Sequence, residues 1–216
     1  MKISADALLF DNDGTLISSL ESVHRCWSRW AREYGIPAED FERVELHGRP
    51  ASDIIGDLLP AHRVPEARAR IDELELADVA GGGVVALPGT VELLGRLPVD
   101  RWAVVTSANC ELAEARLAAV GISPALLISA DDITRGKPDP EPFLLAADKL
   151  GFDPARCVVF EDAPAGLAAG RAAGMRTVAL TTTADRGQLV ADVVVKDLSA
   201  VSVKVIEGGL EITAGE

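Results

Sequence analysis

The sequence has little of what disulfide scaffolds, zinc centres and nucleic-acid interfaces are made from. Its three cysteines, Cys26, Cys110 and Cys157, are widely spaced and form no CxxC pair. We therefore expect free thiols in a reducing cytosol and no disulfide framework. Basic residues are also scarce, with 21 Lys and Arg against 34 Asp and Glu, a net charge of −13. Such a charge opposes binding to phosphate backbones and anionic membranes, so we expect neither as a partner.

Long apolar runs are absent as well. The longest are far shorter than the roughly 20 residues that a membrane-spanning helix needs. The start of the chain shows no signal-peptide pattern, which favours a cytoplasmic protein. With 216 residues, the chain is long enough for one large domain or for a domain with an insertion. Its modest size and high charge are compatible with a soluble monomer.

What the sequence does contain is an alternation of short apolar runs and helical patterns. The strand-like runs are 7–10, 102–105, 126–128, 158–160, 177–180 and 193–195. Helical patterns between them begin near Asn109, Glu141 and Pro164, and end near glycines. Fully apolar strands that alternate with helices predict a Rossmann-like parallel sheet covered by helices on both faces.

One segment interrupts this alternation directly after the first strand. Residues 16–87 look helical and show no convincing strand, and Trp27, Trp30 and Tyr34 recur at helical spacing. We predict a catalytic core of residues 1–15 and 88–216, with an inserted helical cap of residues 16–87. The hinges would lie near residue 17 and at 81–87, and the aromatic stripe would be core packing. A surface excursion of the same domain is the alternative.

Polar side chains cluster where the predicted strands end. They are Asp11 and Asp13, Ser107 and Asn109, Lys137, and Glu161 and Asp162. Since ligands of doubly wound sheets bind outside the carboxyl ends of the strands, we expect these groups to meet. Four acids at one edge of a chain with this charge would repel one another unless they held a cation.

The composition of this cluster favours Mg²⁺, which prefers carboxylate, water and phosphate oxygens. The three histidines, His24, His47 and His62, all lie outside the predicted sheet, which argues against a zinc site there. A metal ion and Lys137 together would neutralise the charge of an anionic group that is transferred. Asp11 would then act as nucleophile and Asp13 as general acid and base. No Walker or GxGxxG motif indicates a nucleotide site.

The segments LLFDNDGTL, VVTSAN, GKPDPEPF and VVFEDAPAG, in this order, resemble the phosphatases of the haloacid dehalogenase superfamily. The resemblance covers nearly the whole chain. It implies that Asp11 is the nucleophile, that Asp13 is the acid and base, and that Ser107 and Lys137 bind the phosphoryl group. The insertion would be a mobile cap that closes over the substrate.

The same resemblance implies a metal site. Mg²⁺ would be held by Asp11, the backbone carbonyl of Asp13 and Asp162, with Glu161 close by. Ser18 departs from the family pattern, which commonly has an aspartate there. The match at Asp13 sets the chain apart from dehalogenases and phosphonatases, which expel no alkoxide that needs a proton.

A finer resemblance concerns the substrate. The stretch HGR at 47–49 and the run GKPDPEPFLLAADKLGF resemble phosphatases of small sugar and polyol phosphates, including glycerol, 2-deoxyglucose and hexitol phosphates. We predict a small phosphorylated metabolite as substrate, contacted by His47, Arg49 and Asn109. The charged run of residues 63–73 is predicted to be a solvated helix face.

Two alternatives stay open. A β-phosphoglucomutase-like enzyme would transfer the phosphoryl group, but such mutases carry a histidine where Val23 stands, and His24 is one residue away. A non-hydrolytic phospho-acceptor or sensor would also use Asp11, metal and lysine. Asp13 argues against it, because a stable acyl phosphate needs no neighbouring base.

Overall fold

The protein is organised around a parallel sheet. The computed structural model describes residues 1–44, 46 and 49–215. Six parallel strands lie in the order β6-β5-β2-β7-β8-β9. Their bounds are β2 Ala7–Phe10, β5 Trp102–Val105, β6 Leu127–Ile128, β7 Cys157–Glu161, β8 Arg176–Leu180 and β9 Val193–Val195. The prediction of a Rossmann-like parallel sheet is confirmed.

Both faces of this sheet are buried, which explains why its strands read as continuous apolar runs. Ala7 and Leu9 face one layer, whereas Leu8 and Phe10 face the other. The first layer is made by α7 and α8, and the second contains α5 and α6. Their bounds are α5 Thr90–Leu94, α6 Cys110–Ala119, α7 Glu141–Leu150 and α8 Pro164–Ala172.

A second, antiparallel sheet completes the layer beneath Leu8 and Phe10. Its order is β1-β11-β10, with bounds β1 Lys2–Ala5, β10 Val201–Ile206 and β11 Gly209–Ala214. Ile3 pairs with Ile212 across the two strands, and both side chains are buried. The end of the chain thus adds two strands, β10 and β11, to the fold. Strand β1 comes before β2, the first strand of the parallel sheet.

The segment between β2 and α5 folds around apolar side chains of its own. Its helices are α1 Leu20–Glu33, α2 Ala38–Phe41, α3 Ala51–Leu58 and α4 Val64–Ala80. Trp27 and Trp30 are buried in this cluster, as predicted, and the Trp30 indole N–H donates to the Ala67 carbonyl at 2.8 Å. None of the helices in the described part of the chain is both long and apolar enough to cross a bilayer.

The expectation that residues 16–87 contain no strand is wrong. The two connections to the inserted helices pair as short antiparallel strands, β3 Ile17–Ser18 and β4 Val85–Ala86. Two residues are too few to show the period-2 pattern of a strand, so only their meeting in space makes them one. The predicted hinges therefore lie side by side. The domain limits at 15/16 and 87/88 stay a prediction.

Candidate active site

The site lies at the carboxyl edge of the parallel sheet, where the strand order reverses. From β2 the chain continues to β5 and β6 on one side, then crosses to β7, β8 and β9 on the other. Such a switch point opens a crevice between the loops that follow the strands. An open cleft of about 700 Å³ is found there. Strand-end residues that line it are Asp11, Asp13, Thr106, Ser107, Glu161 and Asp162.

Lys137 joins three of these strand ends. From the loop before α7 its ammonium donates to Asp11 Oδ1 at 2.6 Å, to Glu161 Oε1 at 2.8 Å and to the Val105 carbonyl at 2.9 Å. The lysine is 5% exposed. Burial by itself lowers the pKa of Lys137, whereas the carboxylates of Asp11 and Glu161 raise it. The two carboxylates together outweigh burial, so the net shift of the pKa is upward and the lysine stays charged.

Glu161 uses its second oxygen to fix the turn after β7. Oε2 accepts the backbone N–H groups of Asp162 at 2.9 Å and Ala163 at 2.8 Å. The space for this carboxylate depends on Gly166, where an added Cβ would lie 1.7 Å from Glu161 Oε1. The glycine in the APAG segment thus allows α8 to pack closely against the carboxylate that pairs with Lys137.

Asp162 is held by hydroxyl groups and by a close glycine. Thr15 Oγ1 donates to Asp162 Oδ1 at 3.1 Å, and Thr183 donates to Oδ2. Gly14 has φ of 95°, and an added Cβ would lie 2.1 Å from Asp162 Oδ2. The DGT turn therefore requires glycine at position 14 for two reasons, its backbone conformation and the close approach of the Asp162 carboxylate.

Asp11, Glu161 and Asp162 fit a hard divalent cation. One carboxylate oxygen from each lies within 4.8 Å of the others, and all three residues are buried. Burial, together with the neighbouring Glu161, raises the pKa of Asp162 to about 7. Burial also raises the pKa of Asp11 well above its usual range, although Lys137 opposes this. One lysine does not balance three buried carboxylates, and an all-oxygen donor set suits Mg²⁺.

The Asp13 carboxylate lies at the wall of the cleft, apart from this group. Its Oδ1 accepts from Ser19 Oγ at 2.6 Å and from the Arg116 guanidinium at 3.0 Å. Its Oδ2 accepts from the Asn12 amide at 3.3 Å. The metal-binding role that the resemblance implies for the backbone carbonyl of Asp13 stays a prediction.

Two of the three residues predicted to contact the substrate line the cleft. Asn109 lines the cleft and also caps α6, accepting the Leu112 N–H at 2.8 Å. Arg49 lines the cleft and donates to Asp57 at 2.8 Å. Ser107 is at the cleft wall and partly exposed. His47 lies outside the described residues.

A family model agrees with this architecture. The model of the haloacid dehalogenase-like hydrolases matches residues 5–174. The chain belongs to this family.

Its relatives cover the chain almost completely. It is 38% identical over 200 residues to hexitol phosphatase A of Escherichia coli strain K12, covering 90% of this chain and 92% of that protein. It is 41% identical over 204 residues to validoxylamine A 7'-phosphate phosphatase of Streptomyces hygroscopicus subsp. limoneus, covering 89% and 94%. A crystal structure of a hydrolase from Pseudomonas syringae superimposes with a TM-score of 0.79 at 27% identity, covering 90% and 94%.

This haloacid dehalogenase-like hydrolase has cleft residues that the sequence analysis missed. Arg68 and Asp72 of α4 were predicted to be solvated. Their side chains are only 26% and 24% exposed, lie 2.9 Å apart and line the cleft. Helical periodicity places them on a charged face but does not say that this face covers the sheet edge. Glu75 and Arg116 were missed as well.

Proposed function

We propose that the protein is a Mg²⁺-dependent phosphomonoesterase that hydrolyses a small sugar or polyol phosphate through an aspartyl-phosphate intermediate. The observation that supports this most is the pairing of Asp11, which lines the cleft, with the buried Lys137 at 2.6 Å, together with Asp13 at the cleft wall. The two relatives named above are both phosphatases by name. The segment 16–87 is proposed to be the cap, because its helices supply the other wall of the cleft.

The chemistry uses the chain's own residues in two steps. An Asp11 carboxylate oxygen forms a bond to phosphorus while the bond from phosphorus to the alcohol oxygen breaks. Asp13 gives its proton to the departing oxygen, then takes a proton from the water that attacks the aspartyl-phosphate. Lys137, Ser107 and nearby backbone N–H groups offset the phosphoryl charge. Asp11, Glu161, Asp162 and the Asp13 carbonyl would hold Mg²⁺, which supplies further positive charge.

The lining of the cleft favours a small leaving group that carries hydroxyls. Apolar side chains from the inserted helices, such as Val23, Trp27 and Ile54, alternate with hydrogen-bonding groups such as Arg68 and Asp72. Paired opposite charges offer both donors and acceptors to hydroxyl groups without a net field for a second anion. This suits the sugar and polyol phosphates that the sequence predicts.

The position of Val23 favours hydrolysis over a mutase reaction. Val23 is buried and lines the cleft, whereas the neighbouring His24 is exposed on α1. A residue adjacent in a helix points about 100° away, so His24 does not replace a histidine at position 23. A panel of polyol and hexose phosphates ranked by kcat/KM, with β-glucose 1-phosphate and its bisphosphate activator included, tests the substrate class and this alternative together. Faster isomerisation of glucose 1-phosphate than phosphate release would overturn the proposal.

Removal of divalent metal should stop the reaction. We expect phosphate release from an aryl phosphate to fall at least about 10²-fold after dialysis against EDTA, because Lys137 is then the only countercharge described for the three buried carboxylates. Excess Mg²⁺ should restore the rate. Thermal unfolding with and without EDTA is the control for loss of the fold. An unchanged rate in EDTA would remove the metal from the mechanism.

Replacing Asp13 by alanine should affect substrates according to their leaving groups. Hydrolysis of glycerol or hexitol phosphates should slow by about 10²–10⁴-fold, because an alkoxide needs a proton as it leaves. An activated aryl phosphate, whose phenolate leaves without one, should lose far less in the first step. Release of the alcohol and of the phenol in the first turnover is measured, because phosphate release also includes the second step, in which Asp13 serves both substrates as base; the exposed Asp148→Ala is the matched control. Equal first-turnover losses for both classes would contradict the acid role.

A further inference from the structure

One buried cation in the cleft has no part in the mechanism above. Arg116 lies on α6, between the apolar positions Leu112 and Leu117, and is 3% exposed. Helix α6 packs against α4 of the inserted segment. An arginine on the buried face of a helix is unusual, because burial of an unpaired guanidinium is strongly unfavourable. Its partners therefore explain why it is there.

Arg116 bridges the two walls of the cleft. One guanidinium nitrogen lies 3.0 Å from Asp13 Oδ1, and the other donates to Glu75 Oε1 at 3.0 Å. Glu75 is on α4 and is also buried, 5% exposed. The bridge thus connects a carboxylate of the inserted helices with the carboxylate that follows β2. All three residues line the cleft.

The bridge also restricts the Asp13 side chain. Oδ1 receives both the Ser19 hydroxyl and the Arg116 guanidinium, so two donors from different elements determine its orientation. Ser19 directly precedes α1. Glu75 is connected to Asp13 Oδ1 through the guanidinium of Arg116. The Nε–H of Arg116 is buried without a hydrogen-bond partner among the described residues. Buried donors are normally hydrogen-bonded, so an unused N–H on Arg116 is not expected if this arginine serves packing alone.

We propose that Arg116 is a positioning residue for Asp13, and that Glu75 holds the guanidinium in place for this purpose. The inference rests on the proposed function, since it assigns Asp13 to proton transfer. Asp13 is oriented completely only while α4 lies against α6, because only then does Glu75 reach Arg116. Proton transfer to the leaving group is thereby coupled to the packing of the inserted helices on the core.

The decisive experiment compares Arg116→Gln, Asp13→Ala and the double variant on an alkyl and an aryl phosphate. Since a small misplacement of a reacting group can cost about 10²-fold in rate, we expect Arg116→Gln to lower kcat for the alkyl phosphate by up to that factor. KM should change less than about threefold, and the release of phenol from the aryl phosphate in the first turnover, which does not include the second step, should be affected much less. Added to Asp13→Ala, the change should have no further effect, because Arg116 acts through Asp13.

The controls separate this inference from its alternatives. Arg70→Gln removes ion pairs with Glu33 of α1 and Glu73 of α4. Arg70 does not line the cleft, so this change should leave kcat unchanged. Equal losses of alcohol and phenol release in the first turnover, or a further loss of the same size in the Asp13→Ala background, would overturn the inference in favour of a structural role. If Arg116→Gln fails to fold, Glu75→Gln makes the same comparison from the other side of the bridge. A wild-type protein that releases no phosphate from any monoester would instead refute the proposed function.

Discussion

Replacing Asp11 by asparagine should abolish phosphate release from every monoester. An amide oxygen does not form the acyl phosphate, so we expect kcat to fall at least about 10⁴-fold, as for removal of a covalent nucleophile elsewhere. The side chains have the same shape, and Glu161 remains to pair with Lys137 at 2.8 Å. The fold should therefore persist. Initial rates with an aryl phosphate and thermal unfolding measure the two effects separately.

The same variant tests the intermediate directly. Acid quenching of the wild-type protein during turnover of a labelled phosphate should trap label on the chain, and Asp11→Asn should trap none. Asp148→Asn is the matched control, because this aspartate of α7 is exposed and does not line the cleft. Activity of Asp11→Asn within tenfold of the wild type would exclude Asp11 as the nucleophile.

Replacing Lys137 by methionine should reduce both stability and activity. The variant leaves Asp11 and Glu161 buried and close together without the cation that touches both. Breaking a buried ion pair by removing one partner typically costs about 3–5 kcal/mol. For a chain of this size this corresponds to a fall in Tm of roughly 6–20 °C. The loss of a charged donor to the phosphoryl group should lower kcat by about 10²–10³-fold as well.

Comparison with a lysine at the protein surface makes this measurement specific. Lys149 is on α7, half-exposed, and lies 3.6 Å from Asp132. A surface change such as Lys149→Met should shift the free energy of unfolding by less than about 0.5 kcal/mol. Mg²⁺ should recover part of the Tm of Lys137→Met, because the cation replaces some of the lost positive charge. Equal Tm values for the two variants in EDTA would contradict the structural role of Lys137.

Prediction from the sequence worked best for the parallel sheet. Each of its strands contains a short run of apolar residues, and each of the helices α6, α7 and α8 has a recognisable end, such as Asn109 at the start of α6 or Gly151 after α7. These signals are local. The joint position of Asp11, Lys137 and Asp162 also followed, because parallel strands bring their carboxyl ends to one edge.

Prediction failed where a structure depends on residues that are distant in the chain. The strands at Ile17–Ser18 and Val85–Ala86 are two residues long and exist only because they pair with each other. The antiparallel sheet joins Lys2–Ala5 to the other end of the chain. Arg68 and Asp72 belong to a charged helix face of α4. The sequence suggests that this face is solvated, but in the fold it lies over the cleft and both side chains line it.

The class of chemistry could be predicted from the sequence. Four acids and a serine directly after predicted strands, with a lysine further along the chain, predict a phosphoryl-transfer site, because local periodicity locates the strands and topology brings their ends together. Which groups of the inserted helices face that site depends on the tertiary structure. Contacts such as Arg116 with Glu75 depend on how two helices pack across about 40 residues of intervening chain, and neither periodicity nor spacing specifies that packing.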